Sequence, residues 1–321
     1  MQIVKDKRLY NEFATAQDFP VYAQAWYLDA LLGDGAWEVL LVLSKEDEIL
    51  ASFAFPSASG RFKSIKNRPG LPYVYLHISR PVSEKRHKRY RSEQQLIRLL
   101  MDNMPSYVLL DMELYPTEVS PLSFSMLGHK VQYRMTYTFR DVSDSTLLFK
   151  ELESANRGHI RKAESCLSVV NSSDYHTFYE GLSAHFKRKG LAFHLKADDF
   201  IRLCKRLEKR SFLQVRLAKD QDGIIHGGQF RILDNTMIRL CFSFISDEGK
   251  SSRASYLLIW DLMKKACETA KSIDLEGSMA TSVEQFYRSF GAEQQTYFRV
   301  TYCKSFILSM ALEAKRLLLR P

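Results

Sequence analysis

The chain has 321 residues, 45% of them hydrophobic and 26% charged, a balance that excludes a disordered chain and leaves enough apolar side chains for a core without covalent staples. A formal charge of +9 favours anionic partners, whether a nucleotide-bearing donor, nucleic acid or acidic lipid, and does not choose among them. Five scattered cysteines without a CxxC pair and eight histidines without HExxH spacing argue against a disulfide framework and against a metal site.

The first residues lack the apolar stretch of a secretory signal, and no run approaches the ~18 apolar residues that cross a bilayer, so a cytoplasmic address is expected. In chain order, 37–43 (WEVLLVL) and 49–55, joined by the charged turn 44–48, predict a hairpin. The loop 83–92, dense in Lys and Arg, is either a solvated face or an anion site. Residues 93–104 have helical periodicity, with Leu96, Leu99 and Leu100 on one face, and lead into a strand at 107–114 (YVLLDMEL). A short helix ending at Leu127-Gly128 and an aromatic-rich strand, 132–139, close this half.

Helices are predicted over 145–165, 174–187 and 197–209. A second hairpin follows, 212–218 and 224–232 around the turn 219–223. Then come a helix at 255–270, a strand at 272–277, a helix ending at Phe290-Gly291 and a strand at 296–302. This repeats the order of the first half. Asp111 and Asp274 stand 163 positions apart, as do Gly128 and Gly291, and repeated order at one offset is the mark of a duplicated unit. The expected fold is α/β (α+β), two tandem domains over 1–140 and 141–303, each a mostly antiparallel sheet flanked by helices. The amphipathic stretch 304–321 is expected to dock on its own domain or on a partner subunit, with peripheral membrane contact as the alternative.

Several residues are candidates for chemistry. Asp274 and Glu276 alternate on one strand face. Facing a cleft, either carboxylate could accept a proton from an amine; facing water, they imply nothing. Arg157 and Arg161 lie four apart on one helical face and, with Lys162, could clamp an anion, or form surface ion pairs with Glu153 and Glu164. Lys189 precedes a glycine helix cap. Gly227-Gly228-Gln229 marks a bulge or a close backbone approach within a strand. In the segment 249–255, Lys250, Ser252, Arg253 and Ser255 surround a helix start, where free N–H groups favour an anion. Arg157, Arg161, Gln229, Asp274, Glu276 and Ser278 are expected to converge on one cleft.

The stretches SANRGHIRKAESCLSVV (154–170), FKRKG (186–190), LLIWDLMKKA (257–266) and IDLEGSMATSVEQFYRSFGAEQQTYFRV (273–300) together resemble the Fem-like (FemAB-like) branch of the GNAT acyl-CoA N-acyltransferase superfamily. The resemblance covers roughly 145–302; the first half matches in element order. It implies tandem GNAT-like domains and an acyl group moved from acyl-CoA to an amine, on a small molecule or a peptidoglycan precursor. Glu276 and Asp274 would then be catalytic, with the donor's pyrophosphate at the 250–255 helix start. Within the branch, aminoacyl-tRNA is an alternative donor. The family's phosphate loop carries glycines that are missing here after Gly249. That departure keeps open a binding protein that retained the fold and lost the donor site. No metal is implied, and a homo-oligomer is left open.

Overall fold

The computed structural model describes residues 1–79, 85–116, 119–140, 142–269, 271–277 and 281–318. It falls into two compact units, Met1–Arg134 with Tyr297–Pro321, and Met135–Thr296.

The first unit opens with β1 (Gln2–Val4) and α1 (Lys7–Ala16), whose start is capped by the Asp6 carboxylate accepting from the Arg8 and Leu9 N–H groups. Helix α2 (Ala25–Leu32) ends at Gly33, whose φ of 96° suits a residue without a Cβ. The first hairpin forms as β2 (Trp37–Leu43) and β3 (Ile49–Pro56). Short strands β4 (Ser64–Lys66) and β5 (Leu76–Ile78) follow. Helix α3 (Arg86–Asp102) reaches further toward the N-terminus than its apolar periodicity predicts, because the basic stretch from Arg86 to Arg91 is helical and exposed. Then come β6 (Leu109–Leu114), α4 (Pro121–Met126) with proline in its first turn, and β7 (Lys130–Phe139).

The second unit carries α5 (Ser145–Glu151) and α6 (Ser154–Glu164) where one helix, 145–165, is expected; Leu152 and Glu153 leave the helical backbone and break it. It continues with β8 (Ser168–Asn171), α7 (Tyr175–Arg188), α8 (Ala197–Glu208), β9 (Leu213–Lys219), β10 (Ile225–Leu233) and β11 (Met237–Ile245). Helices α9 (Asp247–Ser251) and α10 (Ala254–Thr269), strand β12 (Ser272–Asp274), helix α11 (Thr281–Ser289) and the start of strand β13 (Glu293–Cys303) complete it, the rest of β13 from Tyr297 belonging to the first unit. Helix α12 (Phe306–Leu318) belongs to the first unit.

In the first unit one sheet has the order β1-β2-β3-β5, antiparallel throughout. In its other ladder β6 lies between β4, parallel to it, and β13, antiparallel with Val300 opposite Met112. In the second unit the order β7-β12-β11-β10-β9-β8 places β12 between an antiparallel β7 and a parallel β11. The Asp-bearing strands β6 and β12 thus share one kind of setting. The closing strands of the two halves both form, and each is divided: the second half of β7 pairs with β12, and the second half of β13 with β6. On one face of the second sheet, Ile238, Leu240, Ile273 and Leu275 pack with Ile259, Leu262 and Met263 of α10. On the other, Phe230 and Phe242 meet Phe200 of α8.

Candidate functional site

Strands β11 and β12 run in register only from Met237/Ser272 to Arg239/Asp274. Past that point they part. Strand β11 continues to Ile245, whereas the other chain turns onto β7: the Leu275 N–H donates to the Tyr137 carbonyl and the Gly277 N–H to Thr136 Oγ1. Gly277 is required there, because a Cβ would stand 1.7 Å from the Met135 carbonyl oxygen. Opposite the splay, β11 carries a bulge. Phe230 faces Phe242 and Arg231 faces Leu240, so Cys241 is the extra residue, left out of the ladder with β10. Bulges of this kind gather next to functional sites, because they release backbone groups and redirect side chains.

Asp274 sits at the fork, 2% exposed. It forms an ion pair with Arg239 at 2.5 Å and accepts from Thr136 Oγ1 at 2.6 Å and from the Glu276 N–H at 2.9 Å. These contacts commit it to holding the fork. Glu276 does not share a strand face with Asp274 as expected, since β12 ends at Asp274. Its backbone is left-handed, φ 47°, a conformation uncommon for a residue with a Cβ and concentrated at functional positions. Its carboxylate lies beside Cys241 and Tyr287. Burial pushes the Cys241 thiol up, and Glu276 adds to the rise. Burial also raises the Tyr287 phenol, with Glu276 and Asp274 contributing.

The strand end at Ile245 feeds the second feature, the start of α10. Ser246 caps α9 by accepting from the Gly249 N–H. Gly249 is sealed against β10, where a Cβ would stand 1.8 Å from the His226 carbonyl oxygen. His226 Nδ1 meets Ser252 Oγ at 2.9 Å and its Nε2 meets Asp220 at 3.0 Å, so the Ser252 hydroxyl is engaged in fixing the junction. Arg253 has a left-handed backbone, φ 63°, and its Nε is buried without a hydrogen-bond partner among the described residues. The first N–H groups of α10, at Ala254 and Ser255, have no partner within the helix by its geometry. Beside them stands His159 of α6, its ring 4.5 Å from that of Tyr256, with Lys162 of the same helix close enough to act on it. Burial first, then the charges of Arg253 and Lys162, pull the His159 imidazole below its ordinary range. Lys250 pairs with Asp247 at 2.7 Å on the exposed side of α9. At the end of α7, Arg188 and His185 both reach the Ile245 carbonyl, at 2.6 and 3.2 Å. Lys189 is exposed beyond them.

The expected single cleft does not form among the described residues. Gln229 is buried on the α10 face of β10, its Oε1 accepting twice from Arg231, which in turn donates to the Leu258 carbonyl of α10. Strand alternation turns Arg239 and Asp274 to the opposite face. Arg157 and Arg161 do meet, lining an open pocket of 610 Å³ with Phe149 and Trp260, but neither Asp274 nor Glu276 lines it. Arg157 spends part of its guanidinium closing the end of α5, donating to the Lys150 and Leu152 carbonyls. Ser278 lies outside the described residues. Thr136, Arg239, Cys241, His159 and His226 were not singled out from the sequence. Of these, only His159 left a signal there, one helical turn before Lys162 in the matched stretch.

No family model matches the sequence and no curated protein matches it. Solved structures do. A crystal structure of FemX is similar at TM-score 0.64 and 13% identity, over 98% of this chain and 100% of that one. L-PGS from Bacillus licheniformis is similar at 0.56 and 11%, over 98% of each. A tandem GNAT protein from the clavulanic acid biosynthesis pathway is similar at 0.55 and 10%, over 95% of this chain and 98% of that one. The chain therefore has the Fem-like tandem GNAT fold.

Proposed function

We propose that the chain is an N-acyltransferase working in its second unit, with acyl-CoA as donor and an amine as acceptor. The observation that carries this reading is the fork at Arg239/Asp274, where a bulge at Cys241 faces a strand end that delivers Glu276. Acyl transfer to an amine needs a base for the amine proton and donors for the developing oxyanion. Glu276 is assigned the first role. The backbone edge of β11 past Arg239, which has no strand partner on that side among the described residues, is assigned the second. Asp274 is assigned to positioning, through Arg239 and Thr136.

The start of α10 suits the phosphates of the donor. It combines a helix N-terminus with the cations Arg253 and Lys162, which strengthen anion binding at such an end, and with the neutral imidazole of His159 as a hydrogen-bonding group. Lys250 and Lys189 would extend the cationic rim, and the Ser255 hydroxyl would add a hydrogen-bond donor. From Cys241 to Ile245 the strand rises roughly 13 Å at ~3.3 Å per residue, so one donor reaching both features is an extended molecule with its anionic group far from its acyl group. Coenzyme A has that shape. The amine attacks the thioester carbonyl, the C–N bond forms, the C–S bond breaks, and the proton lost by nitrogen goes to Glu276. Arg157 and Arg161 are assigned to an anionic group of the acceptor or of a larger donor. Their pocket, and a phosphate loop replaced by the sealed Gly249 junction, favour aminoacyl-tRNA as the second reading.

Calorimetric titration with acetyl-CoA, followed by thiol release in the presence of an amine panel, tests the assignment. Binding is expected in the wild type and in Glu276→Gln, with transfer reduced about 10²–10⁴-fold in the variant, the usual worth of a general base. Wild-type turnover in that variant would remove Glu276 from the mechanism. Absence of binding at millimolar acetyl-CoA would turn the assignment to the tRNA donor or to a binding protein without catalysis.

A further inference from the structure

At one end of the β4-β6-β13 ladder, two segments distant in sequence meet. The Val108 N–H donates to the Lys63 carbonyl, and the Val108 carbonyl accepts from the Lys304 N–H at 2.9 Å. The chains at Lys63 and Lys304 therefore flank Val108 on either side, two strand spacings or ~10 Å apart. Each leads into exposed apolar residues. Before Lys63 stands Phe62, 51% exposed, next to exposed Arg61; after Lys304, helix α12 begins with Phe306 at 78%, Ile307 at 82% and Met310 at 57%. Large apolar side chains this open, grouped at one end of a unit, mark an interaction surface.

The charges nearest Phe62, Phe306 and Ile307 in sequence have one sign. The sequence holds no Asp or Glu between Glu48 and Glu84, nor between Glu293 and Glu313, while Arg61, Lys63, Lys66, Arg68 and Lys304 fall inside those intervals. Lys304 lies along the Tyr107 ring, 4.6 Å from its centroid, with its backbone tied to Val108. Apolar side chains flanked in sequence by cations, with no carboxylate in the same segments, match an anionic lipid surface: the apolar groups enter the acyl boundary and the cations meet the headgroups. Nucleic acid would use the cations and leave Phe306 and Ile307 in water. A protein partner would have to bring its own carboxylates.

We infer that the turn at Arg61–Lys63 and the first turns of α12 form a docking face for anionic bilayers, holding the protein at a membrane surface. This goes beyond the transferase assignment and does not depend on it. The test is co-sedimentation of the full chain with vesicles of phosphatidylcholine alone and of phosphatidylcholine mixed with phosphatidylglycerol, at low and high salt. Binding is expected only to the anionic vesicles, weakened by salt. A Phe306→Ser/Ile307→Ser variant removes only exposed groups, and circular dichroism checks that its fold is kept. It should bind at least about tenfold more weakly, since deep apolar contact and surface charge act together. Arg61→Glu/Lys63→Glu should fall further, at roughly fivefold for each cation lost before counting the reversal. Failure of the wild type to sediment with anionic vesicles overturns the inference. So does unchanged binding in the Phe306/Ile307 variant, which would reduce the effect to general basicity. A dimer in light scattering that the same variant converts to monomer, with no vesicle binding, would assign the face to a second copy of the chain.

Discussion

Both halves carry Asp-x-Glu, and the two pairs have different fates decided by single neighbours. Asp274 is enclosed with Arg239, the side chains 3% and 2% exposed. Replacing it by Asn leaves a buried guanidinium without its carboxylate, a change that costs about 3–5 kcal/mol. Asp274→Asn is therefore expected to lower the urea midpoint sharply, whereas Glu276→Gln should leave it nearly unchanged. Equal loss in both would mean that Glu276 also holds the fold. In the first unit, Asp111 meets Arg299 at 2.6 and 2.7 Å, and Glu113 lies 3.6 Å from Arg134. Burial raises the Glu113 carboxyl above its ordinary value, against the pull of Arg134 and Arg299. The folded state then binds this proton more tightly than the unfolded state, so Glu113 contributes stability at acid pH that is lost as pH rises from the ordinary carboxyl range through the raised value. Glu113→Gln should flatten that part of the stability–pH curve, measured by urea melts across it. A steeper fall in the variant would refute the sign. The sequence reading puts both Asp-x-Glu pairs on corresponding strands, since their spacing is local; this holds for Asp111, Glu113 and Asp274, whereas Glu276 lies past the end of β12. It could not disclose Arg239, Thr136 or Arg299 as partners, because each comes from another strand.

At the level of elements, hairpins and long helices were legible and their interruptions were not. The expected hairpin 212–218/224–232 forms at β9 and β10, and the helix 255–270 at α10, because apolar periodicity over many residues fixes both. The bulge at Cys241 has no such trace: Met237 to Ile245 reads as one apolar strand, and the extra residue is defined only by pairing with β10. The strand expected at 272–277 stops at Asp274 because Gly277 can approach the β7 backbone as no other residue can. Gly249, read from sequence as the edge of a phosphate loop, instead fits α9 against the His226 carbonyl. A methyl group there forces the α9–α10 junction away from β10. Gly249→Ala is expected to destabilise by about 1–3 kcal/mol, the range for overpacking, and to weaken any anion held at Arg253 and Ser255. Thermal melts and acetyl-CoA titration measure the two effects. Unchanged values in both would show that the junction does not depend on that contact.

On the scale of the whole chain, the units are not the two sequence halves. Strand propensity correctly marked 132–139 and 296–302 as strands, but which sheet a closing strand completes is settled by long-range pairing, to which a single sequence offers no guide. The second half of β13 supplies Phe298 to Cys303 opposite Leu114 to Leu109. It buries Tyr297 and Val300, and brings Arg299 to Asp111. Without it, β6 would keep β4 on one side and present an open edge on the other, with Leu110 and Met112, now fully enclosed, losing cover. Truncation after Thr296 removes this pairing together with α12 and leaves β8 to β12 intact in sequence. Hydrogen exchange resolves regional opening of this kind, because protection follows local stability. In the truncated chain the amides of 109–114 are expected to lose protection, while those of 213–233 in β9 and β10 keep it. Full protection at 109–114 would mean that β6 is held by β4 and the helices of its own half, and that the exchanged closing strand contributes little to the first unit.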